Sequence, residues 1–404
     1  MTVSYNFTVS NSGLLTWIRL TFKWKGSIWK SVWAELAFWL ILYYAVLLLY
    51  HLGLSGDHQR HFDEFATYLN TNVERLPLIF MLGFFVTFVV NRWEKIYQNL
   101  GWIEDTALLI STLVHGDDEE TILARRAIVR YICVGQLMVF RDISIRCRRR
   151  FPTMESLVDA GYLEKAELHE IESFPMKFNK YWLPFNWSLA IIYQQRVREK
   201  IPGDPSLQSC VQEVKRFRDN MQWLSNYDWV PIPLAYPQVV FFAVRVYFYL
   251  CLIGRQFIIS TQQDQYLNIW FPLTTCLQFV FYIGWMKVAE TLLNPMGEDD
   301  DDFETTYLVD KNIATAMAIV DDTSQKHPPL IKDRFKNIRN AQIAIDGFDE
   351  DPVGTLAHLK LPDQNDKHFS SRLDSLRASL RSLTHKIHSG SEQNTNKLDS
   401  PLPI

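Results

Sequence analysis

A run of acidic residues carries the densest chemistry in this sequence. It reads Asn-Pro-Met-Gly-Glu-Asp-Asp-Asp-Asp-Phe-Glu from Asn294 to Glu304 and follows an apolar stretch. Pro295 and Gly297 break a helix that arrives from that stretch, so backbone carbonyls near Asn294 become available to bind a cation together with the carboxylates. Oxygen ligands in this number suit Ca²⁺, which takes roughly 6–8 of them. The alternative is a solvated acidic linker, because runs of like charge are commonly disordered.

A second candidate site is an aromatic stripe in another apolar stretch. Leu76, Phe80, Phe84 and Phe88 recur every four residues, which places them on one face of a helix. If several subunits turn this face toward a common axis, it forms a narrow hydrophobic ring, and such constrictions gate by dewetting. Phenyl edges carry partial positive charge and tolerate an anion better than a cation. The stripe indicates a pore for small anions, although ordinary helix packing produces the same pattern.

Four apolar stretches must position these residues within the 404-residue chain. The second and fourth stretches are shorter than the roughly 20 apolar residues that a lipid-facing helix needs, which indicates helices surrounded by others. The predicted organisation, in chain order, is a cytosolic N-terminal segment at 1–27, transmembrane spans at 28–54 and 76–100, a cytosolic helical region at 101–229, spans at 230–259 and 267–290, a cation-binding segment at 291–320 and a cytosolic tail at 321–404.

Basic residues set the predicted orientation in the membrane. Lys23, Lys25 and Lys30 precede the first span, and arginines are frequent between the second and third spans. Since basic residues favour the cytoplasmic side, we expect both termini and the long middle region to be cytoplasmic. The five cysteines then lie in cytosolic or membrane segments and are expected to serve as packing residues. We expect membrane lipid, and no nucleic acid, as a partner.

The middle region has the pattern of helices. Residues 117–150 begin with acidic and end with basic side chains, as helix termini prefer. Two further helices are predicted at 181–200 and 207–226, separated by a turn at 202–205 that contains two prolines and a glycine. Beyond residue 351 the chain is rich in polar residues and poor in aromatics, which is typical of a disordered tail.

Several motifs together identify a family resemblance that runs from Met1 to about Val320. They are Gly26-Ser-Ile-Trp-Lys30, Val-Val-Asn-Arg-Trp93, Arg150-Phe-Pro-Thr-Met154, Tyr227-Asp-Trp229, Gly254-Arg-Gln-Phe257 and the segment from Gly284-Trp285 to Phe303-Glu304. On these motifs the chain resembles the bestrophins, Ca²⁺-activated anion channels. The resemblance implies an all-α membrane protein with four transmembrane helices per subunit, assembled as a homopentamer around one axial pore. It also implies permeation by chloride and other small anions, including bicarbonate in some members.

Carried over by position, the resemblance implies a pore neck and a second, cytosolic aperture. The neck would be formed by Leu76, Phe80 and Phe84, with leucine at a position where members commonly have isoleucine. The aperture would be lined by Pro205 or Ser206, where relatives have a small apolar residue. This departure from the family pattern predicts a wider or more polar aperture.

The resemblance also implies a Ca²⁺-binding clasp. Its ligands would be the carboxylates of Asp299 and Asp302 and the backbone carbonyls of Ser10, Thr291 and Asn294. Thr291 replaces a glutamine that is often present there, which matters little if only the carbonyl binds.

The function expected from the sequence is a Ca²⁺-activated anion channel of the plasma membrane, assembled alone or with sister subunits. The alternative is a Ca²⁺-responsive membrane scaffold or channel regulator with little conductance of its own. An enzyme has little support, and we assign no catalytic or cofactor-binding residues. His58 and His61 fall on the opposite side of the predicted membrane from the acidic run, and His169 lacks the second histidine of a zinc motif.

Overall fold

A computed structural model of the chain describes residues 13–256 and 271–331, together with Tyr5 and Val9. The described residues form helices, and no strand occurs among them. In chain order the helices are α1 (Leu14–Thr21), α2 (Ile28–Leu48), α3 (Gly56–Val73), α4 (Leu78–Gln98), α5 (Glu104–Leu113), α6 (Glu119–Ile143), α7 (Ile145–Arg150), α8 (Glu155–Asp159), α9 (Lys165–Ser173), α10 (Trp182–Val197), α11 (Gly203–Trp229), α12 (Ala235–Gly254), α13 (Leu273–Leu292) and α14 (Thr305–Met317). A π-helical turn extends α2 through Leu49–Gly53 and another extends α14 through Ala318–Asp322.

The first of two hydrophobic cores lies between α2, α3, α4, α12 and α13. Large aromatic side chains fill it, and Trp39, Phe248 and Phe279 pack with ring centroids 4.8–5.7 Å apart. Gly284 lets α13 approach α2 closely, since a β-carbon at this position would lie 2.1 Å from Ile28. The glycine of the predicted family motif is therefore required by helix packing.

Four charged residues of this bundle form a network of ion pairs. Glu35 of α2 lies 2.9 Å from the Lys287 ammonium and 3.4 Å from the Arg245 guanidinium. Lys287 also pairs with Glu290 at 3.0 Å, one helical turn away. Charges in an apolar environment are costly unless paired, so this network connects α2, α12 and α13.

The second core surrounds α6. This helix is buried along most of its length, and α10, α11 and α14 pack around it. The Asp118 carboxylate caps its N-terminus by accepting a hydrogen bond from the Thr121 amide at 3.1 Å. All five cysteines are buried and unpaired, which agrees with their expected role in packing.

Helix α4 connects the two cores. Leu82, Phe85 and Val89 are fully buried in the first core, whereas Ile96, near the end of the helix, belongs to the second. A displacement of the second core can therefore reach the first along one continuous helix.

The membrane spans agree with the sequence only in part. Two described helices are long and apolar enough to cross a bilayer, Ile28–Gly53 and Ala235–Gly254. Helices α3 and α4 meet at 44° and qualify as a span only when they are taken together. The predicted fourth span corresponds to α13, but the four-span count stays a prediction.

The polar segment before the second span, for which no helix was predicted, is the helix α3, because Ala66 and Val73 bury one side of it against α12. Two local expectations were wrong. The helix predicted at 117–150 breaks at Ser144, where the backbone is extended and the hydroxyl pairs with the Thr305 hydroxyl at 2.8 Å. Helix α11 starts at Gly203, so Pro205 lies in its first turn, a position that proline tolerates.

Candidate functional site

The acidic run forms a compact turn between α13 and α14. The Gly297 amide donates to the Asn294 carbonyl at 3.2 Å, and the Phe303 amide donates to the Pro295 carbonyl at 2.9 Å. A β-carbon on Gly297 would lie 2.7 Å from Oδ2 of Asp302 and 3.3 Å from the Asn294 carbonyl oxygen. The absence of a side chain at Gly297 therefore lets two of the predicted ligand groups approach the same point.

The six carboxylates of the turn divide into two groups. Three form ion pairs with basic residues from distant parts of the chain: Asp300 with Lys30, Glu298 with Arg149 and Glu304 with Arg146. The other three, Asp299, Asp301 and Asp302, form no ion pair with a residue that the structure describes. The two carboxylates predicted to bind the cation, Asp299 and Asp302, therefore have no ion-pair partner among the described residues.

Asp302 is the most constrained of the acidic residues. Its side chain is 2% exposed, and Oδ2 accepts a hydrogen bond from the Asp299 amide at 2.7 Å. Burial raises the pKa of Asp302 above its usual value, and the negative charge of Asp299 adds to the rise, while the hydrogen bond opposes it. A buried carboxylate without a cationic partner is unfavourable, so a bound cation would stabilise this turn.

The donor set of the turn fits a hard cation such as Ca²⁺. Thr291 lies in the last turn of α13, and the residue four positions later is Pro295, which has no amide hydrogen to donate to the Thr291 carbonyl. Within the described ranges, no three side chains of His, Cys, Asp and Glu converge to hold a metal ion. A cation here would consequently need backbone carbonyls in addition to Asp299 and Asp302. Ser10, the remaining predicted ligand, lies outside the described residues.

The acidic turn contacts α4 through one aromatic residue. Phe303 follows Asp302 directly, and its ring lies 5.3 Å from the Trp93 ring and 6.0 Å from the Tyr97 ring, measured between centroids. Trp93 and Tyr97 belong to the C-terminal part of α4. Phe303 had no predicted role, although it is the only aromatic residue among the six carboxylates. This contact joins the acidic turn to the helix that carries the predicted neck.

The opposite side of the turn is fixed by α7. Arg146 pairs with Glu304 at 2.5 Å and donates to the Asp299 carbonyl at 3.2 Å. One guanidinium therefore bridges both ends of the acidic run and orients the backbone of Asp299.

The neck residues form an uncovered surface in the single chain. Phe80, Phe84 and Phe88 lie on one side of α4 with 66%, 60% and 48% of their surfaces exposed. Phe80 and Phe84 pack edge to face at 4.5 Å. Leu76, 42% exposed, precedes the helix, because Pro77 occupies the cap position and α4 begins at Leu78. The expectation that Leu76 shares the helix face is thus corrected, and its assignment to the neck stays a prediction.

The predicted aperture residues lie far from the neck along α11. Pro205 is exposed and Ser206 is partly buried in the first turn of this helix. Near the other end, the Tyr227 carbonyl accepts a hydrogen bond from Arg92 of α4. The 22 residues from 205 to 227 correspond to roughly 33 Å of helix. Any constriction at Pro205 or Ser206 is therefore separate from the neck.

The fold and these sites define an all-helical membrane protein with a large helical region outside the apolar bundle. Comparison with protein families matches residues 1–322 to the family described as "Bestrophin, RFP-TM, chloride channel". The chain belongs to the bestrophin family, a family of anion channels. The resemblance drawn from the motifs is confirmed.

Curated relatives from Caenorhabditis elegans are similar over most of this chain. Bestrophin homolog 17 is 46% identical over 342 residues, which cover 83% of this chain and 70% of the relative. Bestrophin homolog 24 is 44% identical over 337 residues, also 83% of this chain. The alignments span 53% of homolog 24 and 66% of homolog 22, less than two thirds of either.

Solved structures support the fold. A bacterial bestrophin homolog from Klebsiella pneumoniae aligns with a TM-score of 0.54 at 13% identity, over 72% of this chain and 99% of that one. A structure described as a membrane protein aligns with a TM-score of 0.53 at 15% identity, over 74% and 100% of the two chains. At such identities the likeness concerns the fold alone.

Proposed function

We propose that this protein is a Ca²⁺-activated channel for chloride and, with it, bicarbonate, and that Leu76, Phe80 and Phe84 form its gate. The observation that carries the proposal is the uncovered stripe on α4. The other face of the same helix is fully buried at Leu82 and Phe85, so α4 is firmly held in the bundle. An aromatic stripe on a helix held in this way suits a pore lining, because copies of the stripe from several subunits around one axis would form a hydrophobic ring.

The proposed assembly is a homopentamer in the plasma membrane with four spans per subunit. Helix α13 is the fourth span, since its 20 residues measure about 30 Å, the thickness of the hydrocarbon core. Its charged residue Lys287 is compensated by Glu35 and Glu290, which reduces the cost of placing it near the membrane. The termini and the layer from α5 to α11 are assigned to the cytosol by the distribution of basic residues.

The gate excludes ions because its apolar side chains cannot replace the water molecules that an ion loses on entering the neck. Rings of Leu76, Phe80 and Phe84 offer no hydrogen-bond donor, so a closed neck excludes water and ions alike. Once the ring widens, phenyl edges favour a partly dehydrated anion over a cation. The aperture at Pro205 or Ser206 is a second, weaker constriction on the same axis.

The acidic turn controls the gate through α4. Bound Ca²⁺ would supply the positive charge that Asp299 and Asp302 do not receive through an ion pair with any described residue. Asp302 then holds the adjacent Phe303 in one position, and Phe303 packs against Trp93 and Tyr97 of α4. A change in the turn thereby alters the position of the cytosolic end of the neck helix, whereas Arg146 keeps the opposite side fixed to α7.

Patch-clamp recording with buffered internal Ca²⁺ tests the proposal. The wild-type protein should give anion current that needs Ca²⁺, and Leu76, Phe80 and Phe84 changed together to alanine should conduct without Ca²⁺. Ile79→Ala is the matched control, because Ile79 is an equally exposed apolar residue of α4 outside the stripe, 64% accessible. It should keep the Ca²⁺ requirement.

Two results would contradict the proposal. A wild-type protein that reaches the membrane and binds Ca²⁺ but carries no current would favour the scaffold. A triple variant that conducts only with Ca²⁺, as the wild type does, would make the stripe an ordinary packing surface.

A further inference from the structure

A polar groove runs along α3 and ends beside the predicted neck. It has a volume of about 920 Å³ and is lined by eight residues between Arg60 and Arg75, all of them with polar side chains. On the opposite side of α3, Ala66 and Val73 are buried against α12. Helix α3 is therefore amphipathic: its apolar side packs in the bundle and its polar side forms the groove.

The position of the groove follows from its polarity and its chain connection. A surface with arginine and carboxylate side chains is unfavourable against lipid, and we infer that it faces water. Arg75 is followed directly by Leu76, the first residue of the predicted neck. In the proposed pentamer the groove of each subunit therefore faces the outer vestibule and leads to the mouth of the pore.

Charge is distributed unevenly along the groove. At the end far from the neck, Arg60 is accompanied by Asp63 and Glu64, one helical turn away. At the neck end Arg75 is exposed and forms no ion pair with any residue in the described ranges. Glu74, its neighbour in the chain, does not line the groove. The groove therefore carries more negative than positive charge at the end far from the neck, and it is positive where it meets the neck.

Three side chains between these ends donate hydrogen bonds to backbone carbonyls of α3. Thr67 donates to the Asp63 carbonyl at 2.8 Å and Thr71 to the Thr67 carbonyl at 3.0 Å. Asn72 donates to the Tyr68 carbonyl at 2.8 Å. The guanidinium of Arg75 consequently remains the main donor available to a solute at the neck end.

We propose that the Arg75 side chains of the assembled subunits form an anion-capture ring at the outer mouth of the neck. This inference rests on the proposed channel function and assembly. Arginine keeps its charge at any physiological pH and offers five N–H donors, which suits chloride and other small monovalent anions. Rings of such charges concentrate permeant ions of opposite sign and raise their rate of entry. The ring acts before the gate and therefore affects conduction, not Ca²⁺ dependence.

The first experiment compares single-channel currents of the wild type with Arg75→Gln, Arg75→Lys and Arg60→Gln. External chloride is lowered to about 10 mM at low ionic strength, where the Debye length is roughly 30 Å and surface charge acts most strongly. Arg75→Gln should reduce current carried by anions that enter from outside about threefold to fivefold, and saturating external chloride should restore it. Arg75→Lys should keep the wild-type current, and Arg60→Gln should change it much less.

A second experiment varies charge on one and the same folded protein. The five native cysteines are all buried, so they should react little with external reagents. Arg75→Cys channels would be treated from outside with a positively charged and with a negatively charged thiol reagent. The positive adduct should restore anion entry and the negative adduct should lower it further.

The outcomes separate this inference from the proposed function. If the wild type conducts anions with Ca²⁺ but Arg75→Gln matches it at low external chloride, the capture ring is refuted and the channel remains. Equal effects of the two thiol reagents would also refute it, because they would indicate steric obstruction in place of charge. A wild type without current would refute the channel itself.

Discussion

Replacing Asp302 by asparagine should move channel activation to higher Ca²⁺. The substitution keeps the size of the side chain and an oxygen that can accept the Asp299 amide hydrogen bond, now 2.7 Å long. It removes one of the three carboxylates of the turn that have no ion-pair partner in the described chain. The change therefore acts on cation binding more than on the fold of the turn.

The magnitude follows from the interaction that is lost. A hydrogen bond or contact to a charged group contributes about 1.5–3 kcal/mol. Since each 1.4 kcal/mol is tenfold in an equilibrium constant, the Ca²⁺ concentration for half-maximal current should rise roughly 10- to 150-fold. The side chain is 2% exposed, so water can replace little of this interaction.

The assay is an inside-out patch with Ca²⁺ titrated on the cytosolic side. Asp300→Asn is the matched control. It removes the same charge two residues earlier in the chain, from a carboxylate already paired with Lys30 at 2.6 Å. Exposed ion pairs contribute little, so this control should shift activation at most a few-fold. If both variants shift the Ca²⁺ dependence of activation equally, the acidic residues affect activation only through their total charge. If Asp302→Asn does not shift it, the clasp assignment is wrong.

Two further results are expected. Phe303→Leu should lower the maximal current at saturating Ca²⁺ while leaving Ca²⁺ binding unchanged, since it removes an aromatic contact with Trp93 worth about 0.5–1.5 kcal/mol per subunit; an unchanged maximum would exclude this route of coupling. Burial opposes ionisation of Glu167, but hydrogen bonds from Arg130 and Tyr131, each 2.6 Å long, lower its pKa below the usual value. Its ionised form therefore stabilises the fold above the unfolded pKa of about 4.3, and this contribution is lost as the pH falls through the lower folded pKa. Glu167→Gln should lower the melting temperature at pH near 7 and lose most of this difference in acid; a difference independent of pH would contradict the assignment.

The helical character of the chain was predictable because its signals are local. Apolar periodicity, acidic caps and the prolines act within a few residues, and they located helices close to α6, α10 and α11. The same local signals failed for α3, which has a polar composition and is helical because its narrow apolar side packs on α12. They also failed at Ser144, where a hydroxyl contact with Thr305, 161 residues away, accompanies the break.

The candidate site was predictable to the level of a segment. The composition of the run and Pro295 indicated a cation-binding turn, and the family motifs selected Asp299 and Asp302 within it. The sequence predicted several carboxylates around one ion. In the described residues, no three acidic, histidine or cysteine side chains converge in this way. Carbonyl ligands depend on backbone direction, which side-chain identity does not specify.

The sequence alone determined the family, the helical class and the position of the acidic run and the aromatic stripe. Only the tertiary structure decided which carboxylates are compensated, because Lys30 reaches Asp300 across 270 residues of chain. It likewise placed Phe303 against Trp93. Among the described residues it left Arg75, the neighbour of Leu76, without an ion pair. These features depend on how distant segments pack, and the free energy of an ion pair or an aromatic contact depends on that distance and burial, which no local pattern encodes.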